Sequence, residues 1–204
     1  MSLRFNDLFT RIFSSIPGQF FGVLSTLIGL LGDIIAIIYN SGYNLNLMIS
    51  TLGTGPGGFF FNFGTILSGI LAIPFYFYLE RALFKENLNK KVLKIALISA
   101  LISCIFFIAI GIFPSFDNSI FFMYAHGISA LFCFISGAIY FVLFSYLFRI
   151  SSIFPKTIVY IGYVQIALII LFLVTWNPLI EWLMTFGIVL WILYLSFYMS
   201  YKNL

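Results

Sequence analysis

The chain consists of six long apolar segments separated by short polar ones. The apolar segments span residues 19–39, 59–80, 92–113, 119–149, 157–176 and 180–200. An α-helix rises about 1.5 Å per residue, so about 20 residues cross the ~30 Å hydrocarbon core of a bilayer. The pattern predicts an all-α, polytopic membrane protein with six transmembrane helices, forming a single transmembrane domain over residues 1–204.

The segment before the first span has a different pattern. In residues 3–16, Phe5, Phe9 and Ile12 share one helical face, and Arg11 lies on another. This spacing predicts an N-terminal amphipathic helix that lies in the membrane interface. The segment lacks the small-residue cleavage site of a secretory signal, so we expect it to be retained.

The distribution of positive charge predicts the orientation of the six spans. In a six-span topology all ten Lys and Arg residues lie on the side of the termini, and the three opposite loops have none. The positive-inside rule therefore predicts a multi-pass protein of the cell membrane with cytoplasmic N- and C-termini. The same rule places residues 40–58, a long loop with five glycines, outside. Long loops of this kind are often lids or binding loops.

Composition excludes several classes of protein. Apolar residues make up 62% of the chain, charged residues 8%, and the mean hydropathy is +1.13, which is far from the values of soluble domains. The net charge of +4 is distributed along the chain, so we expect no nucleic-acid partner. Cys104 and Cys133 fall within spans, where cysteine behaves as a small apolar core residue.

Polar side chains inside the spans are the candidate functional residues, because such groups are costly to keep in a bilayer. Asp33 and the single histidine, His126, each lie roughly 9 Å below the outer interface, given about 1.5 Å per residue. Asn62 begins the second span, and Asp117 and Glu181 lie at the outer ends of the fourth and sixth. We predict that these five residues line an outward-facing polar cleft and bind a ligand there.

Three interpretations of this constellation remain open. Asp33, Asn62 and His126 could hydrogen-bond one another and only fix helix packing. They could instead form a binding pocket, covered by the glycine-rich loop, for a lipid headgroup or another amphiphile. Finally, His126 could act as a catalytic general base with Asp33 orienting its ring. One histidine with scattered carboxylates matches no metal-ligand spacing, so no metal or other cofactor is predicted.

Short motifs give the chain a resemblance to a known family. They are the segments 49–53 (ISTLG), 61–64 (FNFG), 68–71 (SGIL) and 111–114 (GIFP), followed by His126. In these the chain resembles a prokaryotic membrane family known as the 998 domain of unknown function. It is also distantly similar to the Frag/DRAM/Sfk group of six-span proteins, which is associated with lipid handling. The resemblance implies a six-helix bundle in which Asn62 and His126 match motif positions, and it implies no reaction.

Together these observations predict a non-catalytic membrane protein that binds or organises lipid, or a small amphiphile, in the outward-facing cleft. One alternative is an accessory or structural subunit of a larger membrane complex, with membrane-protein partners or further copies of the same chain. The other is a lipid-modifying enzyme that uses His126.

Overall fold

The computed structural model describes residues 15–86, 88–115 and 119–204. Six long helices lie within these residues: α1 (Gly18–Tyr39), α2 (Gly58–Phe84), α3 (Lys90–Ile112), α4 (Ile120–Ile150), α5 (Lys156–Thr175) and α6 (Pro178–Lys202). A short 3₁₀ helix, Ile49–Thr54, lies between α1 and α2. All six α-helices are long and apolar enough to cross a membrane. The predicted fold class, an all-α protein with six transmembrane helices, is confirmed.

Two predictions concern residues that the structure does not describe. The interfacial helix predicted for residues 3–16 falls almost wholly on residues 1–14, and Asp117 lies within 116–118. That the whole chain forms one domain also stays a prediction.

Local sequence determines where several helices begin and end. The side chains of Asn89 and Asn177 accept hydrogen bonds from backbone N–H groups at the starts of α3 and α6, as N-cap residues do. Pro178 occupies the first turn of α6, where its missing N–H costs nothing. Trp176 ends α5 in the left-handed conformation, with φ of 49°, so the chain reverses within two residues.

The six helices form a closed ring. Each helix packs against the next along the chain, and α6 packs against α1. Successive helices run in opposite directions, which gives the ring two distinct ends. We call the end that contains the 3₁₀ helix the loop end. The other is the basic end, because it holds every Lys and Arg of the described residues: Arg81, Lys85, Lys90, Lys91, Lys94, Arg149, Lys156 and Lys202.

Large aromatic side chains fill the ring toward the basic end. The fully buried rings of Phe75, Phe141, Phe144, Phe148 and Trp191 form what we call the aromatic plug. The Trp191 ring centroid lies 4.8 Å from that of Phe141 and 6.1 Å from that of Phe148, within the usual range for aromatic pairs. The plug closes the interior of the ring on this side.

Small residues let α1 and α2 cross closely. A Cβ atom on Gly32 would lie 2.8 Å from the carbonyl oxygen of Phe60 and 3.1 Å from the Cα of Gly64. Further along the same face, Ser25 donates a hydrogen bond of 2.9 Å to the carbonyl of Ser68. Gly32, Gly64, Ser25 and Ser68 therefore bring α1 and α2 into close contact.

Candidate functional site

A cavity of about 430 Å³ lies inside the ring, above the aromatic plug. All six helices and the 3₁₀ helix contribute side chains to its wall. Its volume falls in the range of about 300–1,000 Å³ that is typical of small-molecule sites. A site shared by every helix of the bundle depends on the whole fold rather than on one local motif.

The cavity is long as well as large. His126 and Tyr140 both line it, and they are about four turns apart on α4, which is roughly 20 Å at about 1.5 Å per residue. The hydrocarbon of one leaflet is about half of a ~30 Å core, or ~15 Å. The cavity is therefore long enough to hold an extended acyl or alkyl chain.

The floor of the cavity consists of two phenols and two thiols. Tyr76 and Tyr140 have ring centroids 5.3 Å apart. Cys104 and Cys133 are both unbridged and buried beside them. Ser103 donates a hydrogen bond of 3.0 Å to the carbonyl of Cys133, which ties α3 to α4 at this level. Sequence analysis did not identify the two tyrosines as part of a site, since tyrosines of membrane proteins are enriched at the membrane interfaces, where they act as anchors.

Two carboxylates, those of Asp33 on α1 and Glu181 on α6, line the cavity toward the loop end. The described part of the cavity wall has no other carboxylate. Asp33 forms no hydrogen bond or salt bridge with any residue that the structure describes. The fold thus brings into one cavity two acids that the sequence analysis predicted as site residues and that are 148 residues apart in the chain.

Glu181 has a second role, because it holds the loop over the cavity. Its side chain is only 6% exposed, and its Oε2 atom accepts a hydrogen bond of 2.8 Å from the backbone N–H of Ile49. Ile49 is the first residue of the 3₁₀ helix, where backbone N–H groups lack partners within the helix. The loop residues Met48, Ser50 and Thr54 line the cavity as a result.

Tyr43 packs beside this anchor. Its ring lies 6.0 Å from the ring of Trp182 in an edge-to-face arrangement, and its hydroxyl donates to the carbonyl of Leu47. Burial, together with the nearby carboxylates of Glu181 and Asp33, raises the pKa of Tyr43 to about 12, although a hydrogen bond with Trp182 opposes this rise. The loop end of the ring is therefore an electronegative region.

His126 lines the cavity but does not use Asp33 as its partner. The ring is 8% exposed, and its Nδ1 atom lies 2.9 Å from the backbone oxygen of Phe113, the residue that follows α3. Because a carbonyl oxygen only accepts hydrogen bonds, Nδ1 is the nitrogen that carries the proton. The imidazole also lies near the carbonyl of Ile110. His126 therefore caps the end of α3, a helix terminus at which free carbonyls need donors.

Asn62 is not among the residues that line the cavity. Its Nδ2 atom donates a hydrogen bond of 3.0 Å to the carbonyl of Gly53, in the 3₁₀ helix. Its Oδ1 atom is buried and has no hydrogen-bond partner in the described chain. A Cβ atom on Gly53 would lie 2.7 Å from that oxygen, which explains why a glycine suits this position. Asn62 thus positions the loop, while Asp33, His126 and Glu181 share the cavity.

A buried amide in α5, Gln165, also has a partner. The Nε2 atom of Gln165 donates a hydrogen bond of 2.9 Å to the carbonyl of Met184 on α6. No group of three or more His, Cys, Asp or Glu side chains that could hold a metal ion occurs in the residues described.

The fold and the cavity define the class: an integral, multi-pass membrane protein with an internal cavity at one end of a six-helix ring. The chain matches the family model described as Protein of unknown function (DUF998) over residues 23–198. It therefore belongs to this family, which confirms the resemblance seen in the sequence. No curated protein and no solved structure matches the chain. The similarity to the Frag/DRAM/Sfk group stays a prediction.

Proposed function

We propose that this protein binds a membrane lipid, or a small amphiphile, with its tail in the central cavity and its polar group at the loop end. The observation that carries the proposal is the polarity of the cavity along its length. Asp33 and Glu181 lie toward the loop end, whereas the deeper wall has no charged side chain among the described residues and combines Ile188 and Ile192 with the neutral groups of the floor. An amphiphile has the same asymmetry.

The charge distribution supports an outward-facing cavity. Every described Lys and Arg lies at the basic end, and such residues are enriched on the cytoplasmic side of membrane proteins. We infer that the termini are cytoplasmic, that the protein resides in the cell membrane, and that the cavity opens toward the outer leaflet. The aromatic plug argues against passage through the ring, because it fills the interior at the basic end.

The site favours binding over chemistry. His126, the candidate general base, has its Nδ1 atom on a backbone carbonyl, and Asp33 does not orient it. The hydrogen bond to Phe113 fixes the tautomer of the ring and completes the end of α3, which accounts for His126 without a reaction. We therefore propose a non-catalytic role, in which the protein holds or presents its ligand.

Native mass spectrometry of the protein in mild detergent tests this proposal. The wild type is compared with Val189→Phe, which places a larger side chain on the cavity wall, and with the matched control Leu190→Phe. Leu190 does not line the cavity, and it is 61% exposed on the outside of the bundle.

We expect a retained lipid-sized adduct on the wild type and on Leu190→Phe, and its loss from Val189→Phe. Adducts that are equal in number and mass on all three proteins would overturn the proposal. Purification with fixed protein partners and no lipid would instead favour a structural subunit of a membrane complex.

A further inference from the structure

We propose that the cavity selects amphiphiles whose headgroup carries an ammonium ion, and that Asp33 is the residue that recognises it. This inference rests on the proposed function, because it names the class of ligand for the same cavity. An aminolipid and a free alkylamine share the relevant chemistry, which is a cationic nitrogen attached to an apolar tail.

The first argument is that the charge of the cavity is uncompensated. Asp33 and Glu181 both line it, and no Lys or Arg of the described residues lies at the loop end. His126 is the remaining nitrogen base in the cavity wall, and it is held by the carbonyl of Phe113. The protein therefore offers two carboxylates and no cationic side chain to a ligand that enters here.

The second argument is the difference between the two carboxylates. Glu181 is satisfied in part by the backbone N–H of Ile49, whereas Asp33 has no hydrogen-bonding partner among the described residues. A carboxylate away from bulk water is costly unless it is paired and hydrogen-bonded. A bound ammonium group would supply both the opposite charge and the missing donors to Asp33.

The third argument comes from the aromatic rings at the same end. Phe107, Phe172 and Trp176 line the cavity near the loop ends of α3 and α5, and the Phe172 and Trp176 rings are 5.4 Å apart. The faces of aromatic rings attract cations, and quaternary ammonium groups are commonly recognised in this way. An anionic headgroup would instead meet two carboxylates at this end of the cavity.

The volume of the cavity favours an organic occupant over a bare inorganic cation. About 430 Å³ of mostly apolar space would remain unfilled around a single ion. The described residues also bring together no set of three metal-ligating side chains. An organic cation with an alkyl tail uses both features of the site, the acidic end and the apolar depth.

The test compares three detergent-like probes that have the same tail and differ in headgroup charge: decyltrimethylammonium, decyl sulfate and decyl maltoside. Each is added below its micelle concentration to delipidated, full-length protein, and bound probe is counted by native mass spectrometry. The proteins are the wild type, Asp33→Asn, and the control Glu80→Gln, which removes a carboxylate near the basic end of α2.

We expect the wild type and Glu80→Gln to prefer the ammonium probe over the sulfate by at least about tenfold, and Asp33→Asn to lose most of this preference. Equal binding of all three headgroups to the wild type would overturn the ammonium proposal and leave the proposed function intact. Failure of a folded wild type to bind any probe would overturn both. The wild-type comparison decides the matter even if Asp33→Asn does not fold.

The lipid retained before delipidation distinguishes the two sources of an ammonium group. An adduct with the mass of an aminolipid identifies the membrane as the source. A cavity that is empty after purification but takes the ammonium probe identifies a free amine. A retained anionic lipid, such as phosphatidylglycerol, that is lost from Val189→Phe would contradict the proposal.

Discussion

Glu181, near the start of the last helix, accepts a hydrogen bond of 2.8 Å from the backbone N–H of Ile49, in the loop between the first two helices. This bond joins the last helix to the loop between the first two helices. It also fixes the loop over the cavity, because Ile49 begins the 3₁₀ helix whose residues line the cavity wall. A single side chain thus serves both as a wall of the site and as the anchor of its cover.

We predict that Glu181→Ala releases the loop and that Glu181→Gln largely preserves it. Alanine leaves the buried N–H of Ile49 without its acceptor, which costs about 1–3 kcal/mol, whereas glutamine retains an acceptor oxygen. Hydrogen exchange of the loop amides measures the effect. We expect faster exchange at residues 49–54 in Glu181→Ala and near wild-type exchange in Glu181→Gln. Unchanged protection in Glu181→Ala would contradict the anchoring role.

We predict that Gly32→Ala destabilises the protein and that Gly127→Ala does not. A Cβ atom on Gly32 would meet the Phe60 carbonyl oxygen at 2.8 Å, whereas a Cβ atom on Gly127 has no neighbour within 4 Å. Forcing two helix backbones apart costs about 1–3 kcal/mol. Replacing an open helical glycine by alanine instead gains up to about 1 kcal/mol.

Thermal unfolding of the purified variants in detergent checks this pair. We expect a lower transition temperature for Gly32→Ala and an equal or higher one for Gly127→Ala. Equal stability of the two variants would mean that α1 and α2 do not cross as closely as the structure shows.

We predict that His126→Ala lowers stability and that His126→Asn restores part of the loss. The imidazole donates from Nδ1 to the Phe113 carbonyl, and the amide of asparagine can place a donor near the same position. Removing the donor leaves a carbonyl of the α3 terminus unpaired, at a cost of about 1–2 kcal/mol. Unfolding temperatures measure the effect. An equal loss of thermal stability in His126→Ala and His126→Asn would contradict the capping role.

The sequence was sufficient to predict the six helices, because a helix of about 20 apolar residues is dictated by the thickness of the bilayer. It also indicated that Asp33 and His126 lie at a similar depth, because each is a similar number of residues from the outer end of its span. The placement of His126 and Glu181 near the loop end followed from their positions near the ends of their spans. These predictions depended only on the period and length of local patterns.

The partners of the polar residues could not be predicted in the same way. His126 pairs with a backbone carbonyl that is free only because α3 ends at Ile112, and no residue type signals that carbonyl. Asn62 contacts Gly53 because the loop folds back over the ring, a path that local patterns do not encode. Side-chain identities indicated which groups need partners, and tertiary structure decided which partners they have.

The orientation of the ring in the membrane gives the last prediction. If the basic end is cytoplasmic, the loop before α2 faces outside and the end of α6 faces inside. We substitute Asn46→Cys in that loop and Lys202→Cys at the end of α6, since both side chains are exposed. Each variant is made with Cys104 and Cys133 replaced by alanine. A membrane-impermeant maleimide should label Asn46→Cys in intact cells, and Lys202→Cys only after the cells are opened. The opposite pattern would place the cavity toward the cytoplasm, and its ligand would then come from the inner leaflet.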